Sequence, residues 1–332
     1  RSSDLSAALG AYFRYCAPED TRGGFMVLDI GACTADISLF LRAQTLPVCT
    51  SQLPLGVHYM LMPSLLLQPD LLPRDLDFVQ DPVFMQTVNQ LNRLISSAKS
   101  DSAALRHARL ALDSLIADHY AFLLPGLLHR PDTGAPTWLG SVLLFHFSYL
   151  MMLCGLMLLQ ISSDSSRNDF IPEQMTLCLS GRGSLLIELL PDGIKTALWR
   201  FLTMFRNRRV VSLSLLFSSE KKMEIPVGLS CLQDGSADSP LTASVPDRIS
   251  VRPEELLPGF MLTFAKEFPA ASDMLFHGFL TGEIYHPFTP YGESLLAESI
   301  HQTFSVQTAQ RPFDALASWP AQLLELLNDA VQ

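Results

Sequence analysis

The stretch Phe25-Met-Val-Leu-Asp-Ile-Gly-Ala-Cys-Thr-Ala-Asp-Ile-Ser-Leu-Phe40 contains two apolar runs separated by a short turn of small residues. Residues 25–30 and 36–41 are each typical of a buried strand, so residues 31–34 must reverse the chain in very little space. A turn this tight exposes backbone N–H groups, and such donors can bind a phosphate. Taken alone, the stretch also fits an ordinary β-hairpin in which Gly31 only allows a positive φ.

A second glycine-rich turn lies within the stretch Met175-Thr-Leu-Cys-Leu-Ser-Gly-Arg-Gly-Ser184. An apolar strand leads into this turn, and a helical pattern of leucines follows it. Because unpaired N–H groups at a helix start point at a bound anion, this order predicts a nucleotide or anion site. The segment is not a Walker P-loop, since no Gly-Lys-Ser or Gly-Lys-Thr follows, and it lacks the third glycine of the dinucleotide fingerprint.

In this order and separation, the two segments resemble the second phosphate motif and the adenosine motif of the ATPase superfamily of actin, DnaK-type heat-shock chaperones and sugar kinases. The phosphate motif of the family reads Asp-x-Gly-Gly-Gly-Thr-x-Asp-x-Ser, and its matching positions here are Asp29, Gly31, Thr34, Asp36 and Ser38. The matching positions of the adenosine motif are Ser180, Gly181, Gly183 and Ser184. Ala32, Cys33 and Arg182 replace family glycines. A side chain at Cys33 could crowd an approaching phosphate, whereas Arg182 can point outward or lie over a flat base.

Three weaker matches lie in the places that the family would give them. Residues 52–60 resemble the Leu-Gly-Gly segment that follows the phosphate strands, with Gly56 on one glycine, although a plain turn before a helix is an equally good interpretation. Residues 222–229 resemble the closing helix, in which Gly228 would let helices pack closely. Residues 3–12 resemble the helix that leads out of the first lobe.

The resemblance implies roles for the matching residues. Asp29 and Asp36 would hold a hydrated Mg²⁺, and Thr34 would help to position the attacking water. The backbone of residues 31–34 would receive the β- and γ-phosphates of ATP or ADP, and residues 181–184 would line the adenosine. The residues implied to contact the nucleotide are Gly31, Ala32, Cys33, Thr34, Gly56, Ser180, Gly181, Arg182, Gly183 and Ser184.

A full member of the superfamily has two similar lobes, and only about two dozen residues precede Phe25 here. We therefore expect the second lobe alone, completed by a first lobe in cis or in trans. The expected fold is an α/β lobe of the actin-like ATPase (ribonuclease H-like) type, with a mixed sheet, an inserted helical subdomain and a C-terminal extension. Its expected segments are the lobe at 1–232 with a helical insertion at about 63–130, a linker or loop at 233–250 and a mainly helical extension at 251–332.

Smaller elements are predicted between these anchors. A third strand of a meander is expected at 44–51, and residues 63–73, rich in leucine and proline, are expected to lead out of the sheet. The further predicted elements are helices at 81–100, 102–124, 184–207 and 222–232 and a strand at 210–217.

The composition indicates a folded protein without a nucleic-acid partner. With 332 residues and 48% hydrophobic content, the chain can bury a sizeable core. Its net charge of −10, with only 23 basic residues, argues against nonspecific nucleic-acid binding, because the phosphate backbone needs a basic surface. Six cysteines without a C-x-x-C pair predict reduced thiols in a cytoplasmic protein, and the histidine spacing predicts no structural zinc.

Residues 142–159 carry no charge and are long enough to span a bilayer. They precede the strand of the adenosine motif, and the resemblance implies that a helix in this place lies buried against the sheet, so we expect a buried helix and no membrane partner. The expected function is binding of ATP or ADP with Mg²⁺ as half of an ATPase whose nucleotide state controls a protein partner or client. Alternatives are a pseudo-ATPase that serves as an interaction scaffold, a fragment of a metabolite kinase, and a membrane-anchored component.

Overall fold

The structure is a computed structural model, and it describes most of the chain. The described residues are 2–41, 46–67, 69–98, 102–163, 174–204, 212–219, 223–232, 243–244, 253–277, 298–301, 316, 319–320 and 322–323.

A mixed sheet forms the centre of this structure. Its strands are β1 Gly24–Ile30, β2 Ala35–Leu41, β3 Cys49–Leu53, β4 Gln174–Ser180, β5 Ser212–Phe217 and β6 Ala243–Ser244. Their order is β5-β4-β1-β2-β3-β6, in which β1, β2 and β3 form an antiparallel meander. β4 pairs parallel with β1, β5 with β4, and β6 with β3. The predicted α/β class, mixed sheet and meander are confirmed.

Helices cover both faces of the sheet. They are α1 Ser2–Cys16, α2 Pro18–Thr21, α3 Val57–Leu67, α4 Leu71–Asp75, α5 Pro82–Ala98, α6 Ser102–Leu128, α7 Trp138–Ser163, α8 Ser184–Glu188, α9 Asp192–Leu202, α10 Glu224–Cys231, α11 Pro253–Glu267 and α12 Pro269–His277. The helices predicted near 3–12, 81–100, 102–124 and 222–232 are confirmed as α1, α5, α6 and α10.

One prediction about a helix boundary was wrong, because of a proline. Residues 63–73 were expected only to lead out of the sheet, and within them Pro63 lies inside α3 at an exposed position while the leucines around it face the core. The helix predicted from 184 to 207 is divided at Pro191, which precedes the first residue of α9. Because proline has no backbone N–H, it removes one hydrogen bond from a helix. Whether the helix continues then depends on how the residues around the proline pack.

The hydrophobic core consists of two clusters, one on each face of the sheet, and successive side chains of β1 point into them alternately. Met26, Leu28 and Ile30 join the larger cluster, which includes residues of α3 to α9 and α11. Phe25 and Val27 join the smaller cluster, against which α1 and α10 pack. Since successive side chains of a strand point to opposite faces and both faces are covered, the strand is apolar along almost its whole length.

Helix α7 lies within the larger cluster, surrounded by α3, α4, α6, α9, α11 and α12. Its segment Trp138–Leu159 has a mean hydropathy of 2.2 and could cross a membrane by length and composition, but 94% of its most apolar window is buried inside the protein. Packing is close at Gly155, where a Cβ would overlap the carbonyl oxygen of Leu202 in α9. The predicted buried helix is confirmed, while the cytoplasmic location stays a prediction.

The described residues near the carboxyl end pack into the same core. A cluster of aromatic rings joins α7, α9 and α11 to this region: Phe145, Tyr149, Phe201, Phe260, Phe264 and Trp319. The Tyr149 hydroxyl also donates a hydrogen bond to the carbonyl oxygen of Leu316 at 2.5 Å. The predicted boundaries of the linker and extension stay predictions, and of residues 233–250 only β6 lies within the described residues.

Two side chains cap the amino end of α7. The Thr137 hydroxyl accepts the N–H of Gly140 at 3.1 Å, as an N-cap residue does. Asp75 of α4 is 5% exposed, and its Oδ2 accepts the N–H of Leu139 at 3.0 Å. Burial raises the pKa of the Asp75 carboxyl, and the hydrogen bonds from Leu139 and Thr137 oppose that shift. One of the caps of α7 therefore comes from another helix.

We expect Asp75→Ala to lower the free energy of unfolding by about 2 kcal/mol, because the buried N–H of Leu139 loses its acceptor. Asp75→Asn keeps an acceptor oxygen and is expected to cost less than about 1 kcal/mol. Urea unfolding followed by circular dichroism measures both values. Equal losses in the two variants would show that the carboxyl does not act as a cap.

Candidate functional site

The turn between β1 and β2 offers backbone donors at the edge of the sheet. The N–H of Gly31 donates to the carbonyl oxygen of Thr34 at 2.8 Å and closes the turn. Within the described part of the chain, the N–H groups of Ala32, Cys33 and Thr34 donate to no backbone carbonyl. Successive N–H groups in such a turn form a concave site that suits an anion.

Two carboxylate residues lie on neighbouring strands beside this turn. Asp29 of β1 and Asp36 of β2 are register partners, so their side chains lie on the same face of the sheet. That face is the one covered by α1 and α10, because it also carries Val27 and Phe40. Burial raises the pKa of Asp36, and a hydrogen bond with the Gln52 side chain opposes the shift.

The two carboxylates suit a cation that keeps most of its water. Among the described residues, no group of three or more His, Cys, Asp or Glu side chains could hold a metal ion. Mg²⁺ needs no such group, since it is commonly bound through one or two carboxylates together with water and phosphate oxygens. Asp29 and Asp36 fit that requirement.

The amino end of α3 supports the turn from behind. The N–H groups of Gly56, Val57 and His58 donate to the carbonyl oxygens of residues 33, 31 and 32, at 3.2, 3.1 and 2.7 Å. A Cβ at Gly56 would overlap the carbonyl oxygen of Ala32, so only glycine allows this approach. The sequence did not reveal this support, and the predicted contact of Gly56 with a nucleotide stays a prediction.

The glycine turn after β4 lies directly against the first turn. Asp29 and Ser180 are register partners in the parallel pair β1–β4. Gly181 has a φ of +75°, and a Cβ there would overlap Oδ1 of Asp29 and lie 2.5 Å from the carbonyl oxygen of Ile30. The N–H of Gly183 donates to the same Ile30 carbonyl at 2.8 Å. The structure thus brings together the two motifs that are far apart in sequence.

Two serine side chains at the second turn make hydrogen bonds within the protein. The Ser184 hydroxyl donates to the carbonyl oxygen of Gly181 at 2.7 Å and closes the turn before α8. Arg182 is half-buried. The Ser180 hydroxyl donates to Oε1 of Glu224 at 3.1 Å, and both side chains are buried. Sequence reasoning missed Glu224, whose only signal is an acidic residue at the first turn of α10.

A cavity of about 290 Å³ opens on the α3 side of the first turn, and we call it the Cys33 cavity. Its lining residues come from the turn, α3 and α6: Cys33, His58, Met62, Pro63, Leu66 and Arg109. His58 is 4% exposed, and its Nε2 lies 3.1 Å from Oδ1 of Asp113. Burial lowers the pKa of His58, Asp113 opposes the shift, and the nearby positive charge of Arg109 adds to it.

The chain matches no model of a known protein family and no curated protein. Any assignment of function therefore depends on the two motifs and on the contacts between them.

Proposed function

We propose that this protein is a cytoplasmic nucleotide-binding lobe of the actin-like ATPase (ribonuclease H-like) type, which binds ATP or ADP with Mg²⁺. The observation that carries the proposal is the contact between the two motifs. Gly181, at the end of β4, approaches Asp29 so closely that a single added carbon would overlap the carboxylate. Ligands of open α/β sheets bind outside the carboxyl ends of the strands, and both motifs lie at such ends.

The backbone and carboxylates of the first turn support specific roles for its residues. The N–H groups of Ala32, Cys33 and Thr34 would bind the phosphates, since they donate to no backbone carbonyl among the described residues. Asp29 and Asp36 would hold Mg²⁺ through its water, and the ion would neutralise charge on the phosphates when bound. The Thr34 hydroxyl would position the attacking water.

The second turn would form the adenosine side of the site. Residues 181–184 lie next to the phosphate turn because Gly183 donates to Ile30. Phosphoryl transfer depends on positioning and charge neutralisation from both sides of the phosphate, so one lobe should bind weakly and hydrolyse little. A first lobe, in cis or in trans, would complete the ATPase, and closure of the lobes would then control a protein partner.

A degenerate pseudo-ATPase that serves as an interaction scaffold is the second candidate. The side chains of Cys33 and Arg182 favour it, because both stand where the family has glycine. Cys33 is exposed in the first turn, and Arg182 is half-buried in the second turn. Each side chain reduces the space in which a nucleotide could approach the backbone.

Calorimetric titration with Mg-ADP and Mg-ATP tests the proposal. We expect saturable binding by the unmodified protein and a loss of about tenfold or more in Mg-ADP affinity for Asp29→Asn, because one carboxylate near the ion is removed. Binding of ADP without Mg²⁺ should change much less. Asp70→Asn is the matched control, since Asp70 is exposed and caps no N–H of α4.

If the protein is an interaction scaffold, the same titration is expected to give a different result. It is favoured if nucleotide at millimolar concentration gives no saturable heat, or if Asp29→Asn and Asp70→Asn bind Mg-ADP equally well. If Asp29→Asn weakens the binding of Mg-ADP more than the binding of ADP alone, the nucleotide site is supported, and the next step is to identify the first lobe.

A further inference from the structure

We propose that Cys33 is a thiol-modification site, at which a small disulfide that carries carboxylates on an apolar body forms a mixed disulfide inside the Cys33 cavity. The cavity supplies three things that such a reaction needs: an exposed thiol, an apolar wall and a nearby cation. At about 290 Å³ its volume is close to that of the smaller ligand pockets in proteins.

Cys33 is the nucleophile of this site. It is exposed at the tip of the first turn, whereas Cys49, Cys154 and Cys178 are buried. Burial raises the pKa of the Cys154 thiol and the Cys178 thiol and makes them poor nucleophiles. The hydrogen bonds from α3 to the carbonyl oxygens of the turn hold the Cys33 backbone in place.

The walls of the cavity select the body of the ligand. Met62, Pro63 and Leu66 present a hydrocarbon and thioether surface that would pack against an aromatic ring or an alkyl chain. His58 also lines the cavity, and its Nε2 lies 3.1 Å from Oδ1 of Asp113. A fully hydrated polar ligand would gain little from this lining.

Arg109 selects the charge of the ligand. It is an exposed side chain of α6 that lines the cavity, and its positive charge reaches His58. A guanidinium binds a carboxylate through paired hydrogen bonds and raises the local concentration of anions. This attraction is needed because the chain as a whole carries a net charge of −10.

The reaction balances without another reactant. The Cys33 thiol loses its proton to solvent, the thiolate attacks one sulfur of the disulfide, and the other half leaves as a thiolate with the electron pair of the broken S–S bond. Cys33 is oxidised and the leaving half is reduced. This site lies on the α3 side of the turn, whereas Asp29 and Asp36 lie on the face covered by α1 and α10. One consequence of the modification, a block of phosphate binding at the first turn, rests on the proposed function.

The test compares two aromatic disulfides with the full chain: dithiobis-nitrobenzoate, which carries carboxylates, and dithiodipyridine, which is neutral. Cys16 is the internal control, because it is exposed like Cys33 but lies at the end of α1. Peptide mapping by mass spectrometry follows the rate at each cysteine. We expect Cys33 to react with the anionic reagent about fivefold faster than Cys16, with a much smaller difference for the neutral reagent.

Arg109→Gln provides the second measurement. It should slow the anionic reagent at Cys33 by about threefold to fivefold, leave the neutral reagent within about twofold, and leave Cys16 unchanged. Added salt should reproduce the effect in the unmodified protein. Equal rates at Cys33 and Cys16, or equal slowing of both reagents by Arg109→Gln, would overturn the proposal. Neither result depends on whether the protein binds a nucleotide.

Discussion

Gly181→Asp is expected to abolish nucleotide binding and to lower the free energy of unfolding by about 3 kcal/mol or more. Two effects add at this position. The φ of +75° is unfavourable for a residue with a Cβ, and the new carbon would overlap Oδ1 of Asp29. The added carboxylate would also repel Asp29, which the proposal assigns to Mg²⁺.

Gly134→Asp is the matched control for this variant. Gly134 has a similar φ of +67°, but a Cβ there would meet nothing within 4 Å. Its substitution therefore carries the backbone cost alone, about 1 kcal/mol, and should leave the site intact. The difference between the two variants isolates the contact between the motifs.

Urea unfolding and calorimetric titration with Mg-ADP measure the two effects of Gly181→Asp. If Gly181→Asp and Gly134→Asp unfold at the same urea concentration, the two turns do not pack as closely as the contact between Gly181 and Asp29 requires. If Gly181→Asp is destabilised but still folded at 25 °C and binds Mg-ADP as before, the nucleotide does not use this turn. The two readouts thus separate the contact from its proposed function.

The central strands could be predicted from the sequence because their signal is local. The apolar runs that became β1 and β2 have strand length, and small residues between them leave room only for a turn. The same holds for α1, α5 and α6, whose boundaries differ from expectation by a few residues. Prolines were less informative, since Pro63 is tolerated within α3 whereas Pro191 separates two helices.

The site could be predicted only in part, because its contacts join distant segments. The resemblance paired the two glycine turns, and the structure places Gly181 against Asp29. No local pattern indicates that Glu224 would accept a hydrogen bond from Ser180, or that Arg109 would share a cavity with Cys33. These pairs arise from the packing of α6 and α10 on the sheet, which a single sequence does not specify residue by residue.

A fall from about pH 7.5 to about pH 5.5 is expected to destabilise the protein by about 1.4 kcal/mol through His146 alone, and the loss should reach about 4 kcal/mol near pH 3. His146 is fully buried in α7, and burial lowers its pKa to about 3, with the backbone of Leu55 opposing the shift.

The sign follows from the protons bound in each state. The imidazole stays neutral in the folded protein down to about pH 3, whereas in the unfolded chain it takes up a proton below its ordinary value of 6.5. Stability is therefore complete above about pH 6.5 and is lost as the pH falls toward 3. His58, whose pKa is also lowered, acts in the same direction, while the raised pKa values of Asp36 and Asp75 act in the opposite direction.

A comparison of variants isolates the contribution of His146. His146→Phe keeps a ring in the core and removes the titration, so its unfolding free energy should fall by about 1.4 kcal/mol less than that of the unmodified protein over the same pH interval. His129→Gln is the control for the loss of a histidine, because His129 is exposed in the folded protein. Urea unfolding at several pH values gives the slopes. Parallel slopes for His146→Phe and the unmodified protein would mean that His146 is not held neutral in the folded core.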